Sequence, residues 1–230
     1  YQWYWEAGFY KDQIRDAEFI RDYWFRVIYG NWAFLKNSSE VRAEYRNRGL
    51  REVSYILGKR ESRRLKGDYV ITQNDIEGGW RKLPDAAVLC TYMIDQHFPD
   101  PENTAFFPGE EFLALAKHNF NPLGKYDNAG PGIDINEPFM IPYRCLYSVN
   151  VPNLFMAGRN ISTSRIALAA LRIQATTAMM GEVVGLASVL CARHECEPRD
   201  IYETYLDEFK KMLEMGVPQK NEDVLRMNIR

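Results

Sequence analysis

Residues 153–190 read NLFMAGRNISTSRIALAALRIQATTAMMGEVVGLASVL. A short apolar run, Leu154-Phe155-Met156-Ala157, stops at Gly158-Arg159-Asn160. A loop of small and polar residues follows, and then a long segment of small and apolar ones. Strand, glycine turn, loop and buried helix is the layout of a ligand-binding edge in an α/β domain. Glycine at the strand end lets a phosphate or ring approach the backbone. The free N–H groups at the start of the next helix can face anionic atoms. The same pattern also fits a buried strand and helix with no ligand, because short glycine motifs recur by chance.

Composition narrows the class. The chain has 230 residues, 46% of them hydrophobic and 13% aromatic, and a net charge of −2. This is a globular composition with no electrostatic case for nucleic acid. The basic residues of 42–64 alternate with Glu40, Glu44, Glu52 and Glu61, as on a solvated or ion-paired face. Residues 166–190 are interrupted by Arg172, Gln174 and Glu182, so no unbroken apolar run reaches the ~20 residues that span a bilayer. Gly181 and Gly185, with Ala169, Ala178 and Ala187, give a narrow helix face suited to close packing. Cys90, Cys145, Cys191 and Cys196 show no C-x-x-C spacing, so free thiols are expected and no metal site is assigned. Nothing in the composition fixes a compartment.

Hydrophobic spacing predicts a long helix over 11–37, with Ile14, Ala17, Ile20, Trp24, Val27 and Ile28 in step. Phe19, Tyr23 and Trp32 widen its apolar face, so burial on more than one side is expected. Loose alternation at Val53, Tyr55 and Leu57 predicts a strand over 51–57, and Gly58 a bulge or close approach. Thr72-Gln73-Asn74-Asp75 fits a helix cap, and Gly78-Gly79 a helix stop. Strands are expected over 86–94, central in a sheet, and over 139–146, with Pro142 at an edge or bulge. Residues 98–138 read as a long irregular loop with a short helix at 110–117, and 199–215 as an amphipathic helix.

Three further blocks carry chemistry-bearing residues: GKRESRRLKGDY at 58–69, MIDQH at 93–97 and IPYR at 141–144. Asp95 and His97, two apart at a strand end, would share a face and can do acid–base work. A surface turn before Pro99-Asp100-Pro101 is the plain alternative. Arg60, Arg63 and Arg64 crowd an extended segment, and buried arginine needs a partner. Either an anionic ligand or an Arg–Glu network would serve. Tyr143 and Arg144 can present a phenol and a guanidinium to a ligand. Arg172 can instead pair with Glu182 or reach solvent.

Together these blocks, in this order, and the 153–190 segment resemble the bacterial FAD-dependent oxidoreductases among the two-dinucleotide-fold flavoproteins. The resemblance covers nearly the whole chain. It implies an α/β fold of mixed α+β character. Residues 1–150 would be part of a substrate-side domain, and 151–230 the last strand and helix of the FAD domain plus a C-terminal helix. It implies flavin contacts from Gly158, Arg159, Asn160, Ile161 and Ser162, and from Leu171, Arg172, Ile173 and Gln174. Arg172 or the helix dipole would stabilise an anionic reduced flavin. Hydride would pass between flavin and a small-molecule substrate, with carbohydrate-related compounds in range. His97 and Asp95 would manage the proton, and Arg63 and Arg144 would hold the substrate.

The dinucleotide fingerprint G-x-G-x-x-G is missing from the chain. The expectation is therefore a C-terminal part of a longer flavoprotein, inactive and flavin-free by itself. A non-catalytic binding or assembly module is the rival reading. Cofactor-free lyase or hydrolase chemistry has only Glu110-Glu111, which would not face each other on a helix.

Two outcomes follow. The purified chain is expected to be colourless, and one-to-one flavin absorbance would overturn the fragment reading. It is also expected to associate through 154–190, where Ile166, Leu168, Leu171 and Ile173 would lack cover. Light scattering over a concentration series checks this, and a clean monomer favours the binding-module reading.

Overall fold

The computed structural model describes residues 6–8, 10–38, 40–60, 62–95, 112–113 and 137–216. The chain forms two compact units, one of residues 1–62 and 97–131, the other of 63–96 and 132–230.

In the first unit, β1 (Glu6–Ala7) pairs antiparallel with a strand at Phe112–Leu113. Those two residues are extended, where the sequence reading placed a helix. The long helix α1 spans Ala17–Asn37. It starts later than expected because the Asp12 carboxylate accepts the Ile14 and Arg15 amides, both at 2.9 Å, and forms a separate turn. Its buried residues are Ile20 and Tyr23, while Phe19, Tyr29 and Phe34 are exposed. The helix is thus buried along one narrow side. Lys36, in its last turn, donates to the carbonyls of Tyr45, Arg46 and Arg48, each at 2.9 Å. That contact holds the end of α2 (Arg42–Tyr45). Residues 51–57 are irregular. Tyr55 stacks on Arg21, 4.3 Å from its centroid to the guanidinium, and no strand among the described residues pairs with this segment. Gly58 has open space around it.

The second unit is built on an antiparallel ribbon. β2 (Ala86–Cys90) runs beside the strand Phe139–Pro142, pairing Cys90 with Phe139, Leu89 with Met140 and Val88 with Ile141. The register shifts between Ala86 and Val88, opposite Pro142. A proline cannot donate to a ladder, so the bulge falls where the sequence placed it. Val88, Cys90, Phe139 and Ile141 are buried, and Leu89 faces outward. Among the described residues the ribbon has two strands, so β2 is not central in a larger sheet. In chain order, Phe112–Leu113 is β3 and Phe139–Pro142 is β4. The short helix α3 (Gln73–Ile76) precedes the ribbon and carries the expected capping box of Thr72 and Asp75. A 3-10 turn, Tyr143–Cys145, follows β4.

The segment expected as one long helix is two. α4 (Arg165–Leu171) is capped by Ser164, whose hydroxyl accepts the Ala167 amide, and α5 spans Gln174–His194. Ile173 between them is extended, with φ −79° and ψ 142°. Neither glycine nor proline marks the break. The Arg172 guanidinium turns away to Asp95 there, bonding its carbonyl at 2.7 Å and its carboxylate at 3.3 Å. The expected C-terminal helix is likewise split into α6 (Pro198–Glu203) and α7 (Leu206–Met215). The strand expected at 154–157 is reduced to one bridge, Phe155 to Tyr147. The Met156 amide bonds Leu146 at 2.6 Å, but Leu146 already belongs to the end of the 3-10 turn, so the ladder goes no further.

α5 rests one side on the ribbon, where the Thr176 hydroxyl meets the Cys90 sulfur at 3.7 Å. Gly181 and Gly185 lie on its other side, exposed and with nothing within 4 Å, so they serve no close packing among the described residues. By length and composition alone α5 is apolar enough to cross a membrane, with 28% of its most apolar stretch buried. The sequence reading missed this because Arg172 lies before the helix and Gln174 is its first residue.

The tightest place in the unit is Gly67. A Cβ there would meet the Arg144 carbonyl at 2.4 Å, the Tyr147 carbonyl at 2.9 Å and the Ser162 side chain at 3.1 Å. Two of these neighbours are backbone and cannot swing aside. Gly67→Ala is expected to destabilise the chain by about 1–3 kcal/mol through overpacking, read as a lower urea midpoint. An unchanged midpoint would show that the loops around Gly67 yield freely.

Candidate functional site

Three loop segments of the second unit, 63–71, 144–147 and 158–162, meet around Gly67. Their backbones are tied in series. The Tyr69 amide donates to the Arg144 carbonyl at 3.3 Å, and the Ser162 amide to the Cys145 carbonyl at 3.1 Å. The Leu65 amide donates to Asn160 at 2.9 Å, and the Ile71 amide to Ser162 at 3.2 Å. The loop 158–162 is thus fixed on both flanks. At its head Gly158 has φ +118°, a conformation open to glycine and strained for other residues. Its amide points at the Met180 sulfur, 3.4 Å away, which sets the loop beside the early turns of α5.

The expected flavin contacts divide by exposure. Arg159, Asn160 and Gln174 are exposed, and Gly158, Arg172 and Ile173 are half-buried. Ile161, Ser162 and Leu171 are buried, so within this chain they support the surface rather than form it. The Ser162 hydroxyl is enclosed without a hydrogen-bond partner among the described residues. Leu168 is also fully buried, contrary to the expectation that it and Leu171 lie uncovered. α5 begins with Ile173 in the cap position and no side chain closing its first turn. Gln174 and Ala175 are exposed there. Among the described residues no side chain takes these first amides of a long helix, an arrangement suited to an outside acceptor.

The expected catalytic residues fall in three places. Asp95 faces Arg172, so the structure joins a residue expected at the proton-transfer site to one expected at the cofactor. Both side chains are mostly buried. Arg63 is exposed. His97 lies outside the described residues. Arg144 is turned inward, where its amide, Nε and Nη2 donate to the Asp85 carboxylate at 2.9, 3.0 and 2.9 Å. Its guanidinium also lies over Tyr69 and Tyr202. That engagement makes Arg144 a scaffold residue, and the fork geometry of arginine suits the task. Asp85, fully buried, was invisible to sequence reading because a single aspartate before a strand carries no pattern.

Three tyrosines surround this scaffold, and each is tied. Tyr143 donates to the Pro198 carbonyl at 2.7 Å, Tyr147 to Asp68 at 2.9 Å and Tyr69 to Asp75 at 2.6 Å. Burial raises all three phenol pKa values, and the neighbouring carboxylates raise Tyr69, to about 12, and Tyr147 further. They remain protonated donors at neutral pH and cannot act as bases there. Asp68 also receives Arg199 from α6 in a two-pronged bridge of 2.7 Å each. Burial alone would raise the Asp68 pKa, but the Arg199 and Tyr147 hydrogen bonds outweigh it and leave it below 3.8.

A carboxylate held low in this way adds stability above its unfolded pKa and loses it as pH falls through the folded value. Acid unfolding of the chain is therefore expected to steepen below about pH 4, with Asp68→Asn flattening that limb and slightly lowering stability at neutral pH. Identical acid limbs for the two proteins would remove Asp68 from the account.

Comparison with known proteins identifies a family for the chain. The family model described as FAD dependent oxidoreductase matches residues 3–213. No curated protein and no solved structure matches the chain. With the matched region spanning both compact units and all the loops around Gly67, the chain belongs to the FAD dependent oxidoreductase family.

Proposed function

We propose that the second unit supplies the flavin-closing edge of a FAD-dependent oxidoreductase, and that its 158–162 loop and α5 N-terminus address the cofactor. When bound, FAD would supply the two-electron acceptor for a substrate carbon. The observation that carries the reading is the uncapped start of α5, exposed at Gln174 and Ala175, beside a loop whose Gly158 leaves room for close approach. Helix N-termini with free amides stabilise negative charge on a ring or phosphate. The residues fit such a group: exposed Arg159 and Asn160 on the loop, and Arg172 and Gln174 at the helix start. The enclosed Ser162 hydroxyl serves the wall.

Arg172 acts here through direction more than net charge, because Asp95 balances it. Asp95 is then a positioning residue for Arg172, and proton handling falls to His97 in the 93–97 block. Arg63, exposed, is the cation offered to a small-molecule substrate. Arg144 holds the scaffold and is withdrawn from that role. The second reading, an assembly module, draws support from the open face of α5 at Gly181 and Gly185, which is also where the remainder of a dinucleotide fold would pack.

Gln174→Pro tests the helix start. Proline is tolerated at the first helical position, and Ile173 already has the extended backbone that a following proline requires. The substitution removes one free amide and no helical hydrogen bond. In the flavin-loaded protein it is expected to weaken FAD about tenfold, as loss of one good hydrogen bond would, with unfolding of the apoprotein unchanged. Undiminished flavin affinity in both Gln174→Pro and Arg172→Ala would refute the proposed address.

A further inference from the structure

The end of α5 and the residues after it read Cys191-Ala-Arg-His-Glu-Cys196. Glu195 adopts the left-handed conformation, with φ 50° and ψ 45°, and among the described residues it is the one non-glycine position with positive φ. The amides of Glu195 and Cys196 both reach back to the Cys191 carbonyl, the latter at 3.0 Å. This is the closure of a Schellman turn, in which the side chains at the two ends of the outer hydrogen bond lie against each other. Here both ends are cysteine. The two thiols perturb each other electrostatically. Both residues are half-exposed, whereas Cys90 and Cys145 are buried.

We propose that Cys191 and Cys196 form a redox-active pair that closes to an intramolecular disulfide across this turn, with a low-molecular-weight disulfide as oxidant. The turn provides what closure needs. One backbone hydrogen bond joins the two residues, a turn of this kind brings the side chains at its two ends together, and both residues are half-exposed. Within this closure Glu195 takes the left-handed conformation, uncommon for a residue other than glycine. A covalent link across it would fix the path from α5 into α6, whose Pro198 carbonyl receives the Tyr143 hydroxyl.

The exchange proceeds in two steps. The Cys196 thiolate attacks one sulfur of the small disulfide, forming a mixed disulfide and expelling one small thiolate. Cys191 then gives up its proton to solvent and attacks the Cys196 sulfur, expelling the second. Two protein thiols lose two electrons and two protons. One small disulfide becomes two small thiols. Cys196 leads because its surroundings raise its thiol less than that of Cys191, which is pushed up to about 11.

The charged groups around the pair oppose thiolate formation. Burial and Asp200 of α6 push both thiols up, Cys191 to about 11, and Tyr143 of the 3-10 turn is electrostatically coupled to both. Arg193 and His194, which could offset this, are turned to Glu208 of α7 at 2.5 and 2.8 Å. Closure is therefore slow at neutral pH, and its rate should rise about tenfold per pH unit below the thiol pKa.

The test uses the full chain, reduced, then incubated with oxidised glutathione at a series of pH values, acid-quenched, and alkylated after denaturation. The alkylatable thiols should fall from four to two. Peptide mass spectrometry should find 191 linked to 196, lighter by two hydrogens, and the linked protein should melt several degrees higher than the reduced one. Cys191→Ser should stop at a glutathione adduct on Cys196. Retention of all four thiols in mildly alkaline buffer overturns the proposal. So does a lasting mixed disulfide in the wild type, or loss of thiols at Cys90 or Cys145 instead. The wild-type peptide map decides the matter even where a serine variant folds poorly.

Discussion

The buried carboxylate of Asp85 is the constraint on which the second unit rests. With no exposed side-chain surface, it must be satisfied from inside, and one residue does so three times over. Arg144 brings its amide, Nε and Nη2 to it. The Asp85 carbonyl accepts the Tyr143 amide at 2.8 Å as well. A buried ion pair adds little net stability over apolar packing, but it is intolerant of losing one partner. Its effect is directional: it forces the chain to leave β4 through the 3-10 turn. That turn aims the carbonyls of Arg144 and Cys145 at the Tyr69 and Ser162 amides. The 63–71 segment and the 158–162 loop are hung from those two carbonyls. The candidate cofactor surface is therefore a remote consequence of one aspartate.

Much of this organisation could be read from local signals. Thr72 and Asp75 close a capping box because their spacing matches a helix start. Pro142 sits at a bulge because it has no donor. Gly158 marks a positive-φ corner at the end of an extended run. Each of these is written in a few adjacent residues. The break between α4 and α5 is not: the partner Arg172 finds there, Asp95, is distant in sequence. The strand at 154–157 was over-read for a related reason. Its apolar composition is right, but strand extent depends on a partner ladder, and Leu146 turns away after one bridge. Gly58 looked like the crowded glycine and Gly67 was passed over. Crowding there comes from the carbonyls of 144 and 147, which no local pattern announces.

The candidate site shows the same division. The exposed loop residues Arg159 and Asn160 and the helix start at Gln174 lie where sequence placed them. The arginines were harder. Arg63, Arg144 and Arg172 look alike as letters, and the structure gives them three different situations: exposed, bound to a fully buried carboxylate, and paired with a mostly buried one. Burial and partner choice decide what a guanidinium does, and both are tertiary facts.

β2 and β4 are partners in one ribbon, yet the whole of 91–138 lies between them in the chain. Closing so long a loop is slow, although each doubling of its length adds only about 0.6 kcal/mol to the entropic cost. For a chain made from its N-terminus, β2 must wait for β4, and the ribbon's inner face must wait longer for α5 to cover it. Val88 and Cys90 are thus exposed until almost all of the second unit has been synthesised. The order of translation makes the synthesis of the 91–138 segment a timer for how long an apolar strand stands open.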